Sequence, residues 1–196
     1  VKYYVYSPWI GRTGSRRVCS LLTDKVFPCT PWHIFQGKLQ YINEINIKEY
    51  ETNIPEILSE LEDNTVVHSH TFILPLDMSN WTFILSKRND VTQQIISSCV
   101  ASTAGYNPED NLESKITIDK KTVLTYKRLL EEAWKEFDSE VDEYITIHLE
   151  DTVEEIADKL RVPLYKDRDK EYISNNDYSK LVVNYNDIYS WLSVVD

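Results

Sequence analysis

An α/β fold built on a central parallel sheet is predicted by three features of the sequence. Short β-prone runs alternate with amphipathic helical stretches, two of the strands break through a tight turn directly into a helix, and apolar residues suffice to cover a sheet on both faces. With 196 residues, 42% hydrophobic and 12% aromatic, the chain has the material for a real core. Residues 1–196 are therefore expected to form a single domain of three layers, α/β/α. No internal repeat, low-complexity stretch or linker divides it.

The first strand is expected at about residues 2–7, where Tyr3, Tyr4, Val5 and Tyr6 form a β-prone run. Gly11 and Gly14, two of only four glycines, turn the chain into a helix from Ser15 to Thr23. Residues 25–50, with Pro28, Pro31, Trp32 and His33, lack periodicity and suit a substrate-side loop followed by a short strand at Leu39 to Ile42. Asn53 and Pro55 open a helix whose apolar face is Ile57, Leu58 and Leu61. Thr65 to His68 and Trp81 to Leu85 are buried-strand candidates, and Asp90 to Ser102 follows as a helix with Val91, Ile95, Ile96 and Cys99 at helical spacing. Thr103 to Lys115 is long enough for a loop that covers a site. Lys121 to Glu143 is a charged amphipathic helix with the stripe Leu124, Leu129, Leu130, Trp134 and Phe137. A strand at Tyr144 to Leu149, a helix at Thr152 to Leu160 and a last helix at Tyr185 to Leu192 complete the order.

The formal charge of −11 argues against general affinity for nucleic acid, which needs a broad basic face. Cys19, Cys29 and Cys99 are an odd set without CxxC spacing, so they suit small buried apolar residues in a reducing, cytoplasmic setting better than a disulfide framework. No run approaches the roughly 20 apolar residues of a membrane span, and Lys2-Tyr3-Tyr4 does not resemble a signal peptide. The absence of an initiator Met leaves a trimmed start open.

The chemistry concentrates where strands meet helices. Between Ser7 and Arg17 a Gly/Ser/Thr turn directs backbone N–H groups, a helix N-terminus and the guanidiniums of Arg12, Arg16 and Arg17 at one spot, as an anionic phosphate or sulfate requires. Phe83 to Val91 repeats the design of strand, basic turn and helix, with Lys87 and Arg88 in the turn. Two anion sites then suit one doubly phosphorylated ligand. In each case the plain alternative is a solvated turn with surface cations.

Gly11-Arg12-Thr13-Gly14-Ser15 is not a Walker A loop, since no Gly-Lys-Ser/Thr closes it. It resembles the 5′-phosphosulfate loop of the P-loop-fold sulfotransferases. That resemblance implies a P-loop nucleotide-transferase-like fold and 3′-phosphoadenosine-5′-phosphosulfate as donor. It puts Arg12 at the bridging oxygen and Thr13, Gly14, Ser15 and Arg16 around the 5′-phosphate. Arg17 falls where cytosolic members often place a Trp against adenine. The stretch from Arg88 to Ser97 resembles the family's 3′-phosphate motif, with Arg88 and Ser97 as the phosphate ligands and Ser98 as the alternative hydroxyl. Val66-Val67-His68-Ser69-His70 is similar to the strand end where many members carry Lys-x-His, which makes His70 the general base and leaves His68 as a departure. On a strand both rings face one side, so a hydrogen-bonded structural histidine and a two-histidine metal pair stay open beside the base.

The resemblance thus implies transfer of a sulfuryl group to a hydroxyl or amine of a small-molecule or glycan acceptor, with adenosine 3′,5′-bisphosphate as product and no metal. A phosphoryl transferase with a degenerate P-loop and a non-catalytic nucleotide-binding protein are the competing readings. Trp32, His33 and Phe35 are candidate acceptor-pocket residues. Leu149-Glu150-Asp151 is similar to a Glu-Asp turn of some family members, and its plain reading is a helix N-cap at Asp151 or Thr152. The acidic run Glu131, Glu132, Glu136 and Asp138 reads as a solvated helix face. Arg168 and Lys180 are basic residues of the C-terminal region without a matching motif. Acceptor identity and oligomeric state are not written in the sequence.

Overall fold

The computed structural model describes residues 1–8, 13–22, 54–70, 72–104, 115–166, 169 and 177–193. Among them, β1 (Lys2–Tyr6), β2 (Val66–Ser69), β3 (Trp81–Lys87) and β4 (Ile145–His148) form one all-parallel sheet in the order β2-β1-β3-β4. Register is set by Tyr3 beside Val66 and Thr82, and by Ile84 beside Ile145. Because the strands run the same way, their carboxyl ends share one edge. The chain leaves β1 toward β2 and leaves β3 toward β4, so the connections diverge between β1 and β3, where parallel sheets open a crevice.

Alternation along each strand divides the core. Val5, Val66, Ile84 and Ile147 point to the face covered by α1 (Ser15–Leu22) and by the helix at Val153–Leu160, through Val18, Cys19, Leu21, Val153, Ile156 and Leu160. Tyr4, Tyr6, Val67, Phe83 and Leu85 point to the other face, against Leu58 of α2 (Ile54–Ser59) and against Phe137 and Val141. The Tyr6 ring stacks on Phe137 at 5.0 Å with the planes 4° apart, and Phe72 and Tyr144 meet Phe137 edge-on. The Tyr4 hydroxyl donates to the Ile73 carbonyl at 2.7 Å, which satisfies the one polar atom on that buried side chain.

A third cluster is mostly helical, with Ile118 and Val182 from outside the helices. Ile95, Ile96, Cys99 and Val100 of α3 (Val91–Ala104) pack with Val123 and Leu130 of α4 (Lys120–Glu140). The helix at Val153–Leu160 is α5, and Tyr178 and Leu181 of α6 (Tyr178–Leu181) with Ile188 of α7 (Tyr185–Ser193) close the cluster. Asn184 ties this layer together: its side chain donates to the Ile118 carbonyl at 2.7 Å and accepts from the Ile118 amide at 3.1 Å.

Most expected elements are present with shifted ends. The helix expected over 121–143 stops at Glu140, because Val141 turns into the core and its N–H returns to the Phe137 carbonyl. The helix expected over 90–102 runs to Ala104, and α6 has no counterpart in the sequence reading. Thr152, not Asp151, caps α5, in a capping box with Glu155. The strand expected at 39–42, the residues Trp32, His33, Phe35, Cys29 and Arg168, and most of the loop after Ala104 lie outside the described residues. No helix among the described residues is long and apolar enough to cross a membrane.

Phe137 is the position where three aromatic neighbours meet and no solvent reaches. Phe137→Ala is expected to lower the free energy of unfolding by about 3–5 kcal/mol, read from the urea midpoint at constant m-value.

Candidate functional site

The carboxyl edge of the sheet gathers Ser7 after β1, His70 after β2, Arg88 after β3 and Leu149 after β4, with the first turn of α1 among them. The turn is stitched by hydroxyls. Thr13 Oγ1 donates to Ser7 Oγ at 2.8 Å, and the Ser86 hydroxyl donates to the Thr13 carbonyl at 3.0 Å. Gly14 sits at φ +78, in the left-handed region, and a β-carbon there would lie 2.3 Å from Leu149 Cδ1. Ser15 then starts α1, whose leading N–H groups face the same edge.

His68 of β2 and His70 just after it have different roles in this geometry. His70 Nδ1 lies 2.7 Å from the Ser7 carbonyl oxygen. A carbonyl only accepts, so the proton of the neutral ring is on Nδ1 and the lone pair is on Nε2. His68 is 1% exposed, its Nε2 is 2.8 Å from Ser15 Oγ, and its Nδ1 has no hydrogen-bond partner among the described residues. Burial first, then the neighbouring His70 and Arg16, push the His68 pKa down to about 3. The rings meet edge to face at 4.6 Å. Among the described residues no three His, Cys, Asp or Glu side chains are grouped as a metal site would need.

Arg17 faces inward. At 4% exposure, its guanidinium donates through Nη1 to the carbonyls of Leu149 at 2.8 Å and Asp151 at 2.7 Å. Nε donates to Asp169 Oδ1 and Nη2 to Asp169 Oδ2. Arg17, at the position where the resemblance has a Trp, is thus a clamp on the β4–α5 turn. The same turn holds the second basic segment, because Glu150 accepts from the Asn89 amide at 2.9 Å and lies 3.7 Å from Arg88 Nε. Arg88 Nε is buried and has no hydrogen-bond partner among the described residues. Asp151 accepts from the His148 amide and from Lys159.

The structure therefore brings Thr13, Gly14, Ser15, His68 and His70 to one spot, with Arg16 exposed beside them. Ser97 is 2% exposed and its hydroxyl is 2.7 Å from that of Tyr178, inside the helical layer. Ser98 donates to the Gln94 carbonyl. Arg12 and Gly11 lie outside the described residues. Ser7, Ser86, Asp169 and the carbonyls of Leu149 and Asp151 were not singled out from the sequence as site residues. The one signal for the last pair was the acidic turn that follows β4.

A histidine held neutral in the fold but protonated when unfolded takes stability away as pH falls. For His68 the window runs from its ordinary value of 6.5 down to about 3: the contribution is fully present above 6.5 and is lost through that range. Unfolding free energy is expected to drop from this source by up to about 1.4 kcal/mol per pH unit between pH 6 and 4. His68→Gln should flatten that slope relative to wild type in urea titrations at each pH, and an identical slope in the two proteins would refute the assignment. Comparison with protein-family models, with curated proteins and with solved structures finds no match to this chain.

Proposed function

We propose that the chain is a sulfuryl transferase that uses 3′-phosphoadenosine-5′-phosphosulfate, on a P-loop-like α/β fold. The observation that carries the reading is the His70 Nδ1 bond to the Ser7 carbonyl, beside the first turn of α1. A carbonyl only accepts, so the bond puts the proton on Nδ1, and in the neutral form of the ring Nε2 is the basic nitrogen. Support for two phosphate positions comes from the left-handed Gly14 turn and from the buried Nε of Arg88, which makes no hydrogen bond among the described residues and has only the Glu150 carboxylate near it, at 3.7 Å. The donor supplies an activated sulfuryl group when bound.

In this reading Thr13, Gly14, Ser15 and Arg16 surround the 5′-phosphate, and the α1 N-terminus and Arg12 stabilise negative charge on the bridging oxygen. Arg88 offers the fork for the 3′-phosphate, and Ser97 keeps the role that the motif implies only if its bond to Tyr178 is exchanged. His70 Nε2 takes the proton of the acceptor hydroxyl or amine as that atom attacks sulfur. Arg17 is assigned to holding α1 on the sheet rather than to adenine. One specific observation favours a nucleotide-binding protein without turnover: His68, with its pKa at about 3, is neutral where the motif usually supplies a cation.

Calorimetric titration without divalent metal tests the proposal. Adenosine 3′,5′-bisphosphate is expected to bind at least about tenfold more tightly than AMP, a gap of roughly 1.4 kcal/mol. Arg88→Ala should weaken the bisphosphate by about 2–5 kcal/mol and leave AMP unchanged. Equal affinity for both nucleotides would remove the second phosphate site. In transfer assays with labelled donor, His70→Ala should retain nucleotide affinity while sulfuryl transfer falls by about 10²–10⁴-fold. Tight binding with no transfer to any hydroxyl or amine acceptor would select the binding protein instead.

A further inference from the structure

Lys87 to Asp90 turn the chain from β3 into α3, and the outer two of these residues are engaged away from the turn. Lys87 lays its ammonium over the Trp134 ring, 4.5 Å from the centroid. Asp90 accepts from the Gln93 amide at 2.9 Å, at the start of α3, and from the Tyr189 hydroxyl at 2.9 Å. The inner two, Arg88 and Asn89, meet one carboxylate, that of Glu150. Glu150 Oε2 accepts from the Asn89 N–H at 2.9 Å. Its Oε1 lies 3.7 Å from Arg88 Nε, near enough for attraction between charges and too far for a hydrogen bond. The buried Arg88 Nε thus has a charge beside it and no acceptor among the described residues, which costs free energy.

The β4–α5 turn does not need the Glu150 side chain to stay in place. Arg17 donates to the carbonyls on either side of it, those of Leu149 and Asp151, and the Leu149 amide donates to the Lys87 carbonyl at 2.9 Å. Asp151 is held by the His148 amide and by Lys159. The Glu150 side chain itself is 39% exposed, so its release would leave the backbone pinned. We propose that Glu150 is a built-in competitor at the second anion position: its carboxylate stands where a phosphate would bind and yields only to a dianionic phosphomonoester. This rests on the reading of Arg88 as the ligand of the 3′-phosphate. A phosphate has three acceptor oxygens and close to two charges, so it can accept from Arg88 Nε and the Asn89 N–H together. A sulfate ester or a carboxylate brings one charge, no more than Glu150 already supplies, and a free 3′-hydroxyl brings none. The competitor therefore makes the second position selective for phosphate over other anionic groups.

Glu150→Gln removes the charge but keeps an acceptor for the Asn89 N–H, so its thermal melt should match wild type. In calorimetric titrations without divalent metal, this variant should bind adenosine 3′,5′-bisphosphate about tenfold more tightly than wild type, and AMP within about twofold of it. An unchanged or weaker bisphosphate affinity overturns the proposal, since a carboxylate that merely tethers two turns gives that result. An equal gain for AMP also overturns it, because that marks a general effect of net charge. Either outcome leaves the two-phosphate reading standing as long as wild type prefers the bisphosphate to AMP. If neither protein distinguishes the two nucleotides, that reading fails and the competitor fails with it. Nitrogen-resolved NMR of the wild type supplies a check that needs no variant. The bisphosphate should shift the Arg88 Nε–H and Asn89 N–H resonances and AMP should leave both in place, and a bisphosphate that binds without moving them overturns the proposal.

Discussion

A guanidinium removed from water must be met by acceptors on all sides, and the burial of Arg17 makes the rest of the carboxyl edge depend on where those acceptors stand. Two are the carbonyls of Leu149 and Asp151, and the others are the oxygens of Asp169. Helix α1 is thereby locked to the turn that follows β4, across the sheet from its own strand. The Gly14 turn comes to rest against the Leu149 side chain, and Glu150 of the same turn holds the amide of Asn89. Three separate chain reversals share one anchor, so the first turn of α1 and the basic turn after β3 keep a fixed relation.

Strand β2 shows how depth separates two residues of one kind. His68 and His70 lie on the same side of the strand, yet one is sealed behind Ser15 and the other stands at the edge. Sealing costs the charged form of His68 its solvation and keeps it neutral. At the edge, the Ser7 carbonyl orients His70 without removing its ring from the rim. A polar layer of Ser7, Thr13, Ser15 and Ser86 lies just beneath the rim and satisfies the turn internally.

What was legible in the sequence was local periodicity. The β-prone run of Tyr3 to Tyr6 and the helical spacing of Leu130, Trp134 and Phe137 identify their elements because each pattern is complete within a few residues, whereas Leu124, expected on the same stripe, is exposed and Val123 takes the buried place. The end of α4 was less legible, since Asp142 and Glu143 continue a helix-like composition and only the burial of Val141 breaks it. Arg17 read as one more cation of an anion turn because nothing nearby reveals its partner, Asp169, which lies 152 residues further on. Spacing from Arg88 placed Ser97 two turns into a helix. It did not reveal that the helical phase turns that hydroxyl toward Tyr178, which belongs to a four-residue helix too short to leave a pattern. The serines at 7 and 86 carry no motif at all, and their roles appear only when β1 and β3 are placed side by side.

The strand order has a kinetic side. β1 is synthesised before its neighbours but occupies an interior place, and its backbone pairs with residues 66–69 on one flank and 81–85 on the other. At about 5–20 residues per second, ribosomes leave this tyrosine-rich segment without either partner for seconds. Among the described residues, α1 can cover one face early and Leu58 of α2 reaches the other. Tyr6, on the opposite face, gains its stacking partner last, since Phe137 is made after β3 and α3 are complete. High contact order of this kind slows folding and lengthens the exposure of an adhesive strand, so the nascent chain, rather than the finished protein, is where this architecture is most vulnerable to aggregation.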